Sequence, residues 1–173
     1  MIESSKVQSA KPHIDQLNEA FNFFKERLGI DDLSNYGRLK ELVMAMELGH
    51  SFPESYADAD AFDSDGNPVE YKSTVQDRIN ATYNGISVQE TWKKQKQYLV
   101  EEKICKYSDH FFARFPRHSM KILEMYRMDG GTVYNLLLPK LKRQFESKKQ
   151  RKDPRLGSSI GKKDIQQYGQ QII

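Results

Sequence analysis

Apolar residues recur at helical spacing near the start of the chain. Ile14, Leu17, Phe21, Phe24 and Leu28 predict an amphipathic helix over Pro12–Leu28, with Pro12 in its first turn and Gly29 as its stop. Leu39, Leu42, Val43 and Met46 predict a second helix, opening at Leu33–Ser34 with Ser34 as N-cap and closing at Gly49. The period then changes to two. Ala59–Asp63 and Val69–Thr74 read as short strands around the turn Ser64-Asp65-Gly66-Asn67. The second strand sets Glu70, Lys72 and Thr74 on one face against Val69, Tyr71 and Ser73 on the other. Val75–Ser87 holds no clear period and reads as a loop, with Asn84-Gly85 as a turn.

Val88–Tyr107 returns to a helical pattern, with Trp92, Leu99, Val100, Ile104 and Tyr107 inward. His110–Phe115 is a near-continuous apolar run, the mark of a central strand covered on both faces. Met120–Met128 reads as its neighbour, broken by Asp129-Gly130-Gly131. Pro139 suits the first turn of a last long helix with Leu141 and Phe145 inward. Helix, helix, hairpin, helix, two strands, helix make α/β the predicted class, with a mixed sheet of about four or five strands.

With 173 residues, 38% hydrophobic and 29% charged, the chain is expected to form a single domain over 1–173. Residues 1–11 read as a flexible arm. Met1–Ser9 is too polar for a signal peptide, and no run approaches the ~18 apolar residues of a membrane span. A single cysteine, Cys105, excludes an internal disulfide and a Cys-rich zinc site, so a cytoplasmic protein with no membrane partner is expected. Cys105 itself reads as a core packer. Charge is uneven: Leu137–Ile173 carries ten Lys/Arg against three acids, +7, which leaves −4 for the remainder of a chain of net +3. A basic 148–173 segment on a mildly acidic body points to a polyanion such as DNA, with a solvated helix face as the bland alternative.

The hairpin carries the candidate chemistry. Glu70 and Lys72 share a face, and the turn brings Asp60 alongside them, giving D-x9-E-x-K. Two carboxylates can hold a hard divalent cation, and an ammonium can stabilise an attacking hydroxide or the charge developing on a phosphate. A surface hairpin with solvated charges is the alternative reading. Asp63 and Asp65 lack a ligand at Ala61 for a calcium loop. The four histidines, 13, 50, 110 and 118, lack zinc spacing, and without G-x-x-x-x-G-K-[ST] no nucleotide cofactor is expected. Glu41 is a candidate outer carboxylate.

These residues resemble the PD-(D/E)xK nuclease superfamily, and within it the small type II restriction endonucleases of the PvuII group. The resemblance starts at Asn35-x-Gly37-Arg38-Leu39 and covers Asp60-Ala61-x-Asp63-x-x-Gly66-x-x-x-Glu70-x-Lys72-Ser73. Weaker echoes follow at Tyr126-Arg127, Pro139-Lys140 and Pro154-Arg155. Ala59 stands where the superfamily pattern has proline. The resemblance implies a restriction-endonuclease-like mixed sheet flanked by helices. It implies Mg²⁺ held by Asp60, Glu70 and the Tyr71 carbonyl, with Lys72 orienting or deprotonating the attacking water. DNA contacts would come from Asn35, Arg38, Arg78, Asn80, Tyr83, Asn84, Asp153, Arg155, Ser158, Ser159, Lys162 and Lys163. The region before Asn35 would help form a homodimer that cuts both strands of a short, roughly palindromic site in double-stranded DNA. Another nuclease of the same fold, homing or junction-resolving, and a non-catalytic DNA-binding module are the rival functions.

Overall fold

The protein is described from a computed structural model covering residues 8–29, 36–53, 59–117, 119–147 and 155–173. Ser34, Asn35, Asp58, His118 and Asp153 lie outside the described residues. By internal contacts the chain divides into two compact units, Met1–Leu39 and Lys40–Ile173.

The first unit contains helix α1 (Lys11–Leu28), whose predicted span holds to within one residue at each end. Lys11 is therefore helix rather than arm. None of its side chains is buried, and the predicted apolar face leaves Ile14, Leu17 and Leu28 exposed.

Helix α2 (Tyr36–Leu48) follows. Its inward positions are Leu42, Met44 and Ala45, whereas Met46, placed in the predicted stripe, is 71% exposed. The buried face is rotated from that stripe, and a charged residue interrupts its apolar pattern: Lys40, at i−4 from Met44, is 5% exposed.

The predicted hairpin forms, but its first strand is two residues long rather than the five of Ala59–Asp63. Strand β1 (Ala61–Phe62) pairs antiparallel with β2 (Pro68–Thr74), Ala61 opposite Val69. Asp63 builds the turn: its carboxylate accepts from the backbone N–H of Asp65 at 3.0 Å and Asn67 at 2.8 Å, and from the Asn67 side chain at 3.1 Å. Gly66 supplies the positive φ of 81° that the turn requires.

The segment expected to be a loop is instead strand β3 (Asn80–Ile86). Ile79, Ala81, Tyr83 and Ile86 are buried while Thr82 and Asn84 face out. Gly85, at φ 69°, lets the strand bulge so that Ile86 regains the inner face. The predicted helix over Val88–Tyr107 is cut short. Thr91 caps helix α3 (Trp92–Tyr98), and the backbone then widens into a π turn (Leu99–Lys103). That widening leaves Val100 exposed and puts Leu99 and Ile104 inside.

Strand β4 (Asp109–Arg114) is central, with five of six residues buried. Strand β5 (Glu124–Asp129) begins four residues later than predicted. Helix α4 (Gly130–Glu146) starts at the expected breaker, not at Pro139, which sits inside it. The reason is that Asp129 is an N-cap: its carboxylate accepts from the backbone N–H of Thr132 at 2.9 Å. The C-terminal segment is also ordered, as β6 (Leu156–Gly161), helix α5 (Lys162–Tyr168) and β7 (Gln170–Gln171).

The main sheet runs β1-β2-β4-β5-β7, with β2 and β4 parallel and the other pairs antiparallel; β3 and β6 form a separate antiparallel ribbon. The architecture is mixed α/β. Adjacent residues of β4 feed opposite cores. Phe112 joins α4 and the ribbon through Val133, Leu137, Ala81 and Ile160. Phe111 joins Met44, Val69 and Tyr71 on the other side.

Candidate active site

Because β1 is only two residues long, it pairs with the start of β2 and leaves the rest of that edge open. The N–H of Tyr71 points to this edge, and a buried N–H requires an acceptor. Asp60 provides it: Oδ2 accepts from Tyr71 N at 2.7 Å. Tyr71 itself is turned the other way, its hydroxyl 2.8 Å from His50 Nδ1 and its ring packed edge-on to Phe111. Strand β2 is thus pinned at one residue by both backbone and side chain.

Strand alternation then carries Glu70 and Lys72 to the opposite face, where the Lys72 ammonium donates to Glu70 Oε1. Both side chains are mostly covered, 24% exposed for Lys72 and 16% for Glu70. The hairpin therefore brings Asp60, Glu70 and Lys72 together, the grouping expected from D-x9-E-x-K.

Burial raises the Asp60 pKa to about 7; the charges of Glu70 and Glu41 add to the rise, while Lys72 and the Tyr71 N–H oppose it. Desolvation works against the Lys72 ammonium, but the Glu70 and Asp60 charges outweigh it and hold its pKa above the usual lysine value. Glu41, on α2, belongs to the same electrostatic group, since its charge bears on Asp60, Tyr71 and Lys72.

The donors fit a hard divalent cation. They are all oxygens, and the repulsion between crowded carboxylates is what a dication relieves. The Tyr71 carbonyl points to the same strand edge as its N–H, toward Asp60. Among the described residues no three His, Cys, Asp or Glu side chains stand grouped as a ready-made metal cage. Here Glu70 is turned to Lys72, and Asp60 to the Tyr71 N–H.

Glu70 and Lys72 open into a cavity of about 130 Å³ shared with Thr82, Tyr83, Asn84 and Lys103. The ribbon thus lies beside Glu70 and Lys72. Asn80 is half-buried, and Thr82 and Asn84 stand on its open side, where Thr82 Oγ1 meets Ser159 Oγ at 3.3 Å. A wider groove follows, lined by Lys140, Arg143, Gln144, Gly157, Ser158 and Ser159. Arg78, Arg155, Lys162 and Lys163 are exposed.

Two expected DNA contacts point inward. Arg38 is 3% exposed and Tyr83 is 6% exposed. Tyr83 lies under the site, its ring centroid 5.4 Å from Lys72 Nζ and its hydroxyl 3.0 Å from His110 Nδ1. In sequence His110 is only a member of an apolar strand and a histidine without zinc spacing; the parity of Ile79, Ala81 and Tyr83, which faces the Tyr83 ring toward β4, is the one signal for its place. The echo at Arg127 is a bidentate pair with Asp109, at 2.8 Å for each bond.

No helix among the described residues is long and apolar enough to cross a membrane. Compared with models of known protein families and with curated protein sequences, the chain matches none.

Proposed function

We propose that this protein is a Mg²⁺-dependent type II restriction endonuclease, acting as a homodimer on a short, roughly palindromic site in double-stranded DNA. The observation that carries the reading is the convergence of Asp60, Glu70 and Lys72 at the open edge of β2, beside a polar ribbon and a basic groove. Asp60, Glu70 and the Tyr71 carbonyl would hold Mg²⁺, which when bound polarises the scissile phosphate and acidifies a water. Lys72 contributes from its charged ammonium. It orients the attacking water and stabilises the negative charge that builds on the phosphate oxygens. The Tyr71 N–H holds Asp60 in place, and Glu70 holds Lys72 until the substrate arrives.

The groove lined by Lys140 and Arg143 suits a phosphate backbone, and the ribbon face of Thr82, Asn84 and Ser159 has the donors and acceptors that read base edges. The exposed Ile14, Leu17 and Leu28 of α1 support self-association, and two-fold protein symmetry matches a two-fold site.

Incubating the purified protein with plasmid and Mg²⁺, then sequencing the ends, tests the reading. Discrete fragments with one common end sequence are expected. Cleavage confined to branched DNA would assign a junction-resolving role instead. A salt-sensitive gel shift without cutting would assign a DNA-binding module.

A further inference from the structure

The Lys72 ammonium has a second contact besides Glu70, the face of the Tyr83 ring. That ring is itself fixed. The Tyr83 hydroxyl donates to His110 Nδ1 at 3.0 Å, and His110 Nε2–H donates to the Ile104 carbonyl at 3.0 Å. The Ile104 carbonyl can only accept, so Nε2 carries a proton, and in the neutral imidazole Nδ1 is then the acceptor for the Tyr83 hydroxyl. His110 is fully buried, and burial lowers its pKa to about 4, in keeping with that tautomer. The chain of contacts thus runs from the end of the π turn, through β4, to β3 and the lysine.

We infer that Tyr83, held by His110, is a positioning residue for Lys72: its ring is the floor on which the ammonium stays aimed at the reacting phosphate. The inference rests on the nuclease reading given above. A lysine has a flexible four-carbon stem and a point charge, so something must fix its direction. Glu70 does this in the structure described. Once Glu70 turns to a cation, that carboxylate is shared and the aromatic face remains as an undivided contact. A ring face attracts an ammonium without taking its proton or competing for the cation. Ala81 and Ile86 are buried on the same side of β3, and the Tyr83 ring, 6% exposed, borders the Lys72 cavity rather than the outer face of the ribbon. Tyr83 acts through Lys72 and touches no substrate.

The test uses the full-length protein and two variants, Tyr83→Phe and Tyr83→Leu. Loss of the ring in Tyr83→Leu lowers kcat for plasmid cleavage by about 30- to 100-fold with KM for DNA steady, the scale of a misplaced catalytic group. Tyr83→Phe keeps the ring, loses only the bond to His110, and recovers most of that loss. Wild-type kcat in Tyr83→Leu, or a change confined to KM, would overturn the inference. A second measurement does not depend on cleavage. Lysines are ¹³C-dimethylated in the metal-free protein, and the Lys72 signal is identified by its disappearance in Lys72→Arg. An upfield ring-current shift that Tyr83→Phe retains and Tyr83→Leu abolishes is expected. An unshifted Lys72 signal in the wild type would overturn the contact itself. If the protein cuts no DNA, the nuclease reading fails while this signal still decides the Tyr83–Lys72 contact.

Discussion

Asp60 accepts a 2.7 Å hydrogen bond from the backbone N–H of Tyr71, so the carboxylate that leads into the hairpin is clamped to the strand that carries Glu70 and Lys72. The bond exists because β1 begins only at Ala61 and leaves that N–H without a ladder partner. A short edge strand thereby becomes the frame of the candidate site.

Burying that carboxylate has a stability cost that can be measured. Burial raises Asp60 to about 7 in the folded protein, above the ordinary aspartate value of 3.8, so the folded state holds the proton more tightly. The penalty grows as pH rises between those values and is complete above about 7. Asp60→Asn should therefore raise stability at pH 8 by roughly 1–3 kcal/mol and by much less at pH 5. Urea unfolding of the two proteins at both pH values checks this. An equal gain at pH 5 and pH 8 would contradict the assignment.

His110 titrates with the opposite sign. Its folded pKa of about 4 lies below the ordinary 6.5, because burial disfavours the imidazolium. Folding stability should fall as pH drops from 6.5 toward 4, where the unfolded chain takes up a proton that the native state refuses. The His110→Gln variant should be less stable at pH 7, yet lose about 2–3 kcal/mol less than wild type between pH 7 and pH 4.5. Paired urea melts at the two pH values give the difference directly.

Gly130 opens α4 against the backbone of the preceding segment. A Cβ there would meet the Tyr107 carbonyl oxygen at 2.5 Å, whereas one at Gly161 would meet nothing within 4 Å. Gly130→Ala should cost about 1–3 kcal/mol, and Gly161→Ala should stay within about 0.5 kcal/mol of wild type. Thermal melts of the two variants separate these outcomes.

Arg143 is exposed in the groove beside the ribbon. If that groove follows a DNA backbone, Arg143→Ala should weaken binding about equally for all duplexes and reduce the slope of log affinity against log salt by about one. Fluorescence anisotropy over a salt series measures both.

The hairpin was legible because its signals are local: Asp63, Gly66 and an alternating strand lie within a few residues of one another. The α1 boundaries were legible from one clean 3–4 spacing closed by Gly29. The ribbon was not, because β3 and β6 pair across 70 to 81 positions of sequence, and each is too polar on its outer face to announce a strand alone. The Ile79-Ala81-Tyr83 alternation was the available signal, hidden by Asn84-Gly85 reading as a turn when it is a bulge. Pro139 misled for a related reason. Asp129-Gly130-Gly131 looks like a breaker, but its aspartate caps a helix and its first glycine is required by close packing on Tyr107. Asp60, Glu70 and Lys72 could be named from spacing; the Tyr83–His110 support could not, since it depends on how β3 lies against β4.

If Asp60, Glu70 and Lys72 form one phosphodiester-cleaving centre, the loss of any one of them abolishes cutting. Cleavage of supercoiled plasmid in Mg²⁺ by wild type, Asp60→Ala, Glu70→Gln and Lys72→Ala tests it most directly. Discrete linear fragments are expected from the wild type, with a loss of at least about 100-fold in each variant and duplex binding retained. Discrete bands surviving at wild-type rate in any one of the three would contradict it.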